Sequence, residues 1–134
     1  MLHINLHQRY TAGMTDTVHL NWNPEQQFIL RDNDDHQIVM KKPKRVKPSD
    51  LMAMALIRCS SYDVVEILQK QRQNLRELKV TAQSTHDETP PWRFQKIHIH
   101  YQAIGRGIDR EKLGKAIQLS EEKYCSVYAT LKDA

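Results

Sequence analysis

"PSDLMAMALIRCSSYDVVEILQKQR", Pro48 to Arg72, decides the shape of this chain. No glycine interrupts it, and no proline follows the first residue. Pro48 suits a helix start, and Ser49 and Asp50 fall in the first turn, where capping and acidic residues favour the helix dipole. A helix running from there to about Arg72 spans roughly 36 Å at ~1.5 Å per residue. Its first half, Leu51 to Ile57, is apolar all round, so it must be surrounded by protein. A chain of 134 residues makes one real core. One small domain can hardly cover both sides of so long a rod, and a second subunit is the natural cover.

Short strands precede this helix. Leu2, Ile4 and Leu6 alternate with His3, Asn5 and His7, the pattern of an edge strand. Val18, Leu20 and Trp22 alternate in "DTVHLNW", "NPEQ" makes a turn, and "QFILR" is a short strand. "DNDD", Asp32 to Asp35, turns the chain into "HQIVMK". After the helix, "LRELKVTAQST" reads as a strand, "HDETPP" as a loop, and "WRFQKIHIHYQAIG" as a long strand. Phe94, Lys96, His98 and His100 lie on one face of that strand, and Ile97, Ile99 and Tyr101 on the other. A second helix begins near Asp109, with Leu113, Ala116, Ile117 and Ser120 as its inward stripe. "CSVYATL" closes the chain as a strand that starts at Cys125. The expected fold is a single α+β domain in three segments: strands and a basic loop over 1–46, the long helix with Cys59 over 47–73, and two strands, a second helix, Cys125 and a last strand over 74–134.

Composition narrows the function. Hydrophobic residues make up 40% of the chain, a globular value. The longest near-apolar run is far too short to cross a bilayer. "MLHINLHQRY" lacks the basic-then-apolar pattern of a signal peptide, so a cytoplasmic location is expected, with no membrane partner. Lys41, Lys42, Lys44, Arg45 and Lys47 crowd into one loop, and removing those five charges from the net +4 leaves the rest at −1. The protein is therefore not basic throughout. The run contains no aromatic residue and no DNA-binding motif flanks it, so it reads as a solvated linker and nucleic acid is not an expected partner.

The cysteines carry the chemistry. Cys59 and Cys125 are too few for a disulfide framework, and no clustered Cys/His set suggests zinc. Each alone reads as a core cysteine, since free cysteine is among the most buried residue types. Read together, they suit a peroxide-reducing pair, which needs thiolate character, access and a second thiol to resolve the sulfenic acid. Asp63 lies four residues after Cys59, near the same helix face, and a carboxylate there raises a thiol pKa unless a cation offsets it. Arg58 is adjacent in sequence but points about 100° away. His98 and His100 lack a third ligand, "GRG" before Ile108 lacks a Rossmann context, and no metal or cofactor is expected.

"KPSDLMAMALIRCSSYDVVEIL", "LKVTAQ", "FQKIHIHYQAIGRGID" and "KAIQLSEEKYCSVYATL", in that order, resemble the OsmC/Ohr family of osmotically inducible and organic-hydroperoxide-resistance proteins, and most nearly its YhfA-like branch. The resemblance runs from about Thr17 to Leu131. It implies an intertwined homodimer, with antiparallel sheets packed around a long central helix from each chain and two sites at the interface. Cys59 then matches the peroxidatic cysteine and Cys125 the resolving one. The activity implied is thiol-dependent reduction of organic hydroperoxides in oxidative-stress defence, with an external dithiol, such as a lipoylated protein, restoring the thiols.

Three positions depart from the family pattern. The family's glutamate, ten residues before the first cysteine, is Ser49 here, with the acid shifted to Asp50. On one straight helix ten residues is ~15 Å, so a residue there serves the partner chain's site better than its own. The family's arginine on an early strand has no clear match, and Arg31, Arg45 and Arg58 are the available cations. Arg58 also stands where small residues are usual. The alternative function is a non-enzymatic dimer that binds a small hydrophobic ligand or a partner in its interface cleft, with Cys59 as lining.

Overall fold

The computed structural model describes residues 14–42 and 45–134. The edge strand expected over Leu2 to Leu6 lies outside the described residues, as do Pro43 and Lys44 of the basic run. The chain divides into two compact units, Met1–Val46 and Lys47–Ala134.

In the first unit, β1 (His19–Asn23), β2 (Gln27–Arg31) and β3 (Gln37–Met40) form an antiparallel sheet in chain order. Short polar side chains make both turns. Asn23 Oδ1 accepts from the amides of Glu25 at 3.1 Å and Gln26 at 2.7 Å, and Asp32 Oδ1 accepts from those of Asp34 and His36, both at 2.9 Å. The register pairs Leu20 with Leu30 and Leu30 with Ile38, and beside them Trp22 with Phe28 and Phe28 with Met40. These six side chains share one face. Met40 alone of them is buried, while Leu20, Trp22 and Ile38 keep about half their surface in solvent. The unit ends with an apolar sheet face uncovered.

The second unit is built on α1 (Pro48–Lys70), which starts with Pro at its N-terminal turn and carries Asp50 there. Next come β4 (Asn74–His86) and β5 (Phe94–Arg106), an antiparallel pair of two long strands. Then follow α2 (Arg110–Leu119), a π-helical turn (Ser120–Tyr124) and α3 (Ser126–Leu131). Asp109 caps α2 by accepting from the Glu111 amide at 2.9 Å. The Asp109 amide in turn donates to Gln73 Oε1 at 2.9 Å, fixing the start of α2 to the exit of α1.

The buried residues of α1 are Leu56, Ser60, Val64 and Leu68, a strict four-residue repeat that forms one stripe. Val64, Leu68 and Ala116 make the core, with Leu75, Leu78, Tyr101, Leu113 and Ile117 packed around them. The core thus sits where the second half of α1, the inner sheet face and α2 meet. The expected inward stripe of the second helix is present: Ala116 and Ser120 are fully buried. The apolar first half of α1 is not enclosed, for Leu56 alone is buried between Leu51 and Ile57, and Met54 is half exposed.

One expected element is different. "CSVYATL" was expected as a final strand, on the β-branched and aromatic content of Val127, Tyr128 and Thr130. It is instead a helix from Ser126 to Leu131. Cys125 caps it, its sulfur accepting from the Tyr128 amide at 3.3 Å, and Thr130 Oγ1 donates back to the Ser126 carbonyl at 2.8 Å. Packing against α1 and side-chain bonds to the backbone override the strand preference of three residues.

Leu68 is fully buried at the centre of the core. Leu68→Ala should therefore cost about 2–5 kcal/mol of stability in a denaturant titration. Met54→Ala, at a half-exposed position of the same helix, should cost much less in the isolated chain.

Candidate functional site

α1 and the C-terminal segment bring the two cysteines together. Cys59 is partly buried, Cys125 is 2% exposed, and both thiols are free. The Cys125 thiol is a neighbour of the Cys59 sulfur, near enough to favour its ionised form. Two geometric devices place it there. The π-helical turn carries the chain from α2 with a wider step, closed by the Cys125 amide donating to the Ser120 carbonyl at 2.8 Å. Ser120 is itself pinned to α1: its Oγ donates to Asp63 Oδ2 at 2.8 Å and lies 3.3 Å from the Ser60 carbonyl.

The polar surroundings of Cys59 come from the start of α3. Burial pushes the Cys59 thiol up. The neighbouring Cys125 thiol, the amide of Val127, and the hydroxyl and amide of Ser126 outweigh it, so its pKa falls below the ordinary thiol value. Cys125 shifts the other way. Burial raises it, and its contact with Cys59 raises it further, against hydrogen bonds from the Ser60 hydroxyl and the Tyr128 amide. The pair is thus polarised, with Cys59 the more acidic thiol and Cys125 the proton-bearing neighbour.

The other expected site residues lie apart from the sulfurs. Asp63 is held by the Ser120 hydroxyl, a structural tie between α1 and the π-helical turn. Arg58 lies over the Tyr62 ring, 5.3 Å from its centroid, one turn along the exposed face. Asp50 is exposed in the first turn of α1, ~13 Å along the helix from Cys59. Among the described residues no group of three or more His, Cys, Asp or Glu side chains could hold a metal ion. His98 and His100 are exposed on β5.

The uncovered half of α1, β5 and α3 border an open groove of about 1070 Å³. Met52, Leu56, Ile97, Ile99, Tyr128 and Leu131 give it an apolar lining. Leu56 stands one turn before Cys59, so the groove runs along the helix that carries the more acidic thiol.

The profile of the OsmC-like protein family matches residues 41–134, most of the chain and both cysteines. The chain belongs to the OsmC-like family. Protein YhfA of Escherichia coli is 35% identical over 118 residues, covering 86% of this chain and 88% of its own length. A solved structure of a hypothetical protein from Aquifex aeolicus superposes with a TM-score of 0.80 at 30% identity, over 91% of this chain and 90% of that one. The organic hydroperoxide resistance protein OhrB of Bacillus subtilis shares the fold at a TM-score of 0.52 and 20% identity, over 88% of this chain and 91% of that one. This OsmC-like chain therefore has the mixed α+β fold with antiparallel sheets and a central helix. No helix among the described residues is long and apolar enough to cross a membrane.

Sequence reasoning missed Ser60, Ser126 and the amide of Val127. Ser60 had a visible signal, being the single polar residue in the repeat Leu56, Ser60, Val64, Leu68. Ser126 and Val127 had none, because reading the segment as a strand placed their amides in a ladder.

The polarised pair has a direct consequence for thiol titration. Cys59 should alkylate first at pH 7, with a midpoint below the ordinary ~8.5. Because the folded neighbours stabilise the thiolate, unfolding in urea should move that midpoint up to the ordinary value. Cys125→Ala, which deletes the neighbour that lowers it most, should move it up in the folded protein. A Cys59 midpoint at or above ~8.5 in the folded wild type would contradict the electrostatics described.

Proposed function

We propose that this protein is a thiol-dependent peroxide reductase acting on organic hydroperoxides, with Cys59 as the attacking thiol and Cys125 as the resolving thiol. The observation that carries the reading is that the two thiols are neighbours whose ionisations influence each other, with the more acidic one near the first amides of α3. Cys59 as thiolate attacks the outer peroxide oxygen, becomes a sulfenic acid and releases an alcohol. Cys125 then forms a disulfide with it and water leaves. An external dithiol, such as a lipoylated protein, returns both to thiols. The apolar groove that reaches Leu56, one helical turn before Cys59, favours an alkyl hydroperoxide over hydrogen peroxide, because burying the alkyl chain adds binding energy that a polar peroxide lacks. No cofactor enters this cycle, and a reducing compartment such as the cytoplasm suits two free, adjacent thiols.

The same reading includes a homodimer. The half-covered start of α1 and the exposed Leu20, Trp22 and Ile38 face of the first sheet are the surfaces a second copy would bury. Asp50, far from its own Cys59, would then approach the partner's site. Arg31 and Arg45 are the candidate cations for that assembled site, and Arg58 is engaged with Tyr62.

The second reading, a dimer that holds a small hydrophobic ligand without chemistry, is favoured by the size and apolar lining of the groove.

Consumption of an alkyl hydroperoxide with a dithiol reductant separates the two. Wild type should turn over, and Cys59→Ser should reduce the rate to that of the reductant alone. Cys125→Ser should accumulate a sulfenic acid at Cys59 and slow turnover. A wild type no faster than Cys59→Ser would remove the enzyme and leave the binding protein.

A further inference from the structure

The Cys125 sulfur has a neighbour that the cycle above does not use. Ser60 is fully buried in the inward stripe of α1, where Leu56, Val64 and Leu68 hold the equivalent places. Its Oγ donates to Cys125 Sγ at 3.4 Å. A hydroxyl in an apolar stripe costs free energy unless it is bonded, so the sulfur is the partner that makes serine tolerable there. Tyr101 borders the same spot: its buried hydroxyl has no partner within hydrogen-bond distance, although Ser60 is near enough to favour its ionised form. Ser60 does not bear on the Cys59 sulfur, for successive helix residues point about 100° apart.

We propose that Ser60 is a positioning residue for the resolving thiol: its hydroxyl holds the Cys125 sulfur beside Cys59 and stabilises it as a thiolate when it attacks. The inference rests on the redox reading above. In the step concerned, the Cys125 sulfur forms the S–S bond as the S–O bond of the Cys59 sulfenic acid breaks. The Cys125 proton leaves with the hydroxyl as water, and the two electrons removed from the sulfurs are those that reduced the peroxide. Burial disfavours the Cys125 thiolate, and the Ser60 hydroxyl opposes this. A hydrogen bond to a charged acceptor corresponds to about one pH unit.

Two measurements test the proposal separately from the peroxidase reading. The first uses the Cys59→Ser protein, which cannot carry out the peroxide step, and follows ultraviolet thiolate absorbance of Cys125 against pH. Adding Ser60→Ala should raise the midpoint by about one unit, and Ser60→Thr, which keeps the donor, should leave it in place. Tyr101→Phe should also leave it in place. An unmoved midpoint in Ser60→Ala, or an equal shift in Tyr101→Phe, overturns the proposal, the latter because loosened packing would then explain it.

The second uses the two-cysteine protein, a single equivalent of an alkyl hydroperoxide, and a carbon-nucleophile trap for sulfenic acid. In Ser60→Ala the trapped species should persist about threefold longer at neutral pH. Thiolate fraction falls about tenfold, and the greater nucleophilicity of a more basic thiolate recovers part of it. The rate at which Cys59 is first oxidised should change by less than the lifetime of the sulfenic acid does. Sulfenic acid in wild type with an unaltered lifetime in Ser60→Ala sinks the Ser60 role alone. No sulfenic acid in wild type, whatever the midpoint does, sinks the redox reading and this step with it.

Discussion

The inward stripe of α1 is the surface on which the larger unit is assembled. Val64 and Leu68 hold the inner sheet face and α2 by apolar burial. Ser60 and Leu56 extend the same stripe toward the C-terminal segment, and at that point the packing changes character from hydrocarbon to sulfur and hydroxyl. The rigidity that positions two thiols against each other is therefore borrowed from the core directly behind them. Rotating α1 by one residue, about 100°, would put Cys59 on a different face and carry Ser60 out of the core in the same movement.

The lowered Cys59 pKa arises without a side-chain cation among the described residues. A pairing of Cys59 with Arg58 or against Asp63 was the natural expectation, since charged groups dominate thiol pKa values. Both are engaged elsewhere, Arg58 with the Tyr62 ring and Asp63 with the Ser120 hydroxyl. The work falls to groups that carry only partial charge: two amides and a hydroxyl at the start of α3, and a neighbouring thiol. Such groups are held in place by the backbone of the helix start, where the first amides have no intrahelical acceptor, so little reorganisation opposes the ionised form. Asp63 contributes indirectly, because the hydroxyl it holds also anchors the turn that delivers Cys125.

Much of this was legible in the chain before any coordinates. The long helix followed from an uninterrupted run opened by Pro48, and the β4–β5 pair from two alternating stretches separated by "HDETPP". The two cysteines stood out by their motifs. What escaped was local and depended on neighbours. The C-terminal segment reads as a strand by residue preference, and its helical state depends on a sulfur cap and on the surface of α1. Ser120 reads as an ordinary inward helix residue, although it is the hinge of a π-helical turn. Propensity describes a residue against an average environment, and these positions do not have one.

The π-helical turn also sets how this chain can vary in length. A π turn holds one residue more than an α turn, so the stretch from Ser120 to Cys125 behaves as a helix with a single insertion. Losing one residue there would let the α-helix run on without a break and would leave α2 itself untouched. It would also swing Cys125 by about 100° and draw it ~1.5 Å along the axis, parting the two sulfurs. The spacing between Ala116 and Cys125 is thus a ruler for relatives of this chain. Any that preserve both cysteines but shorten that interval by one residue keep the fold and lose the sulfur pair.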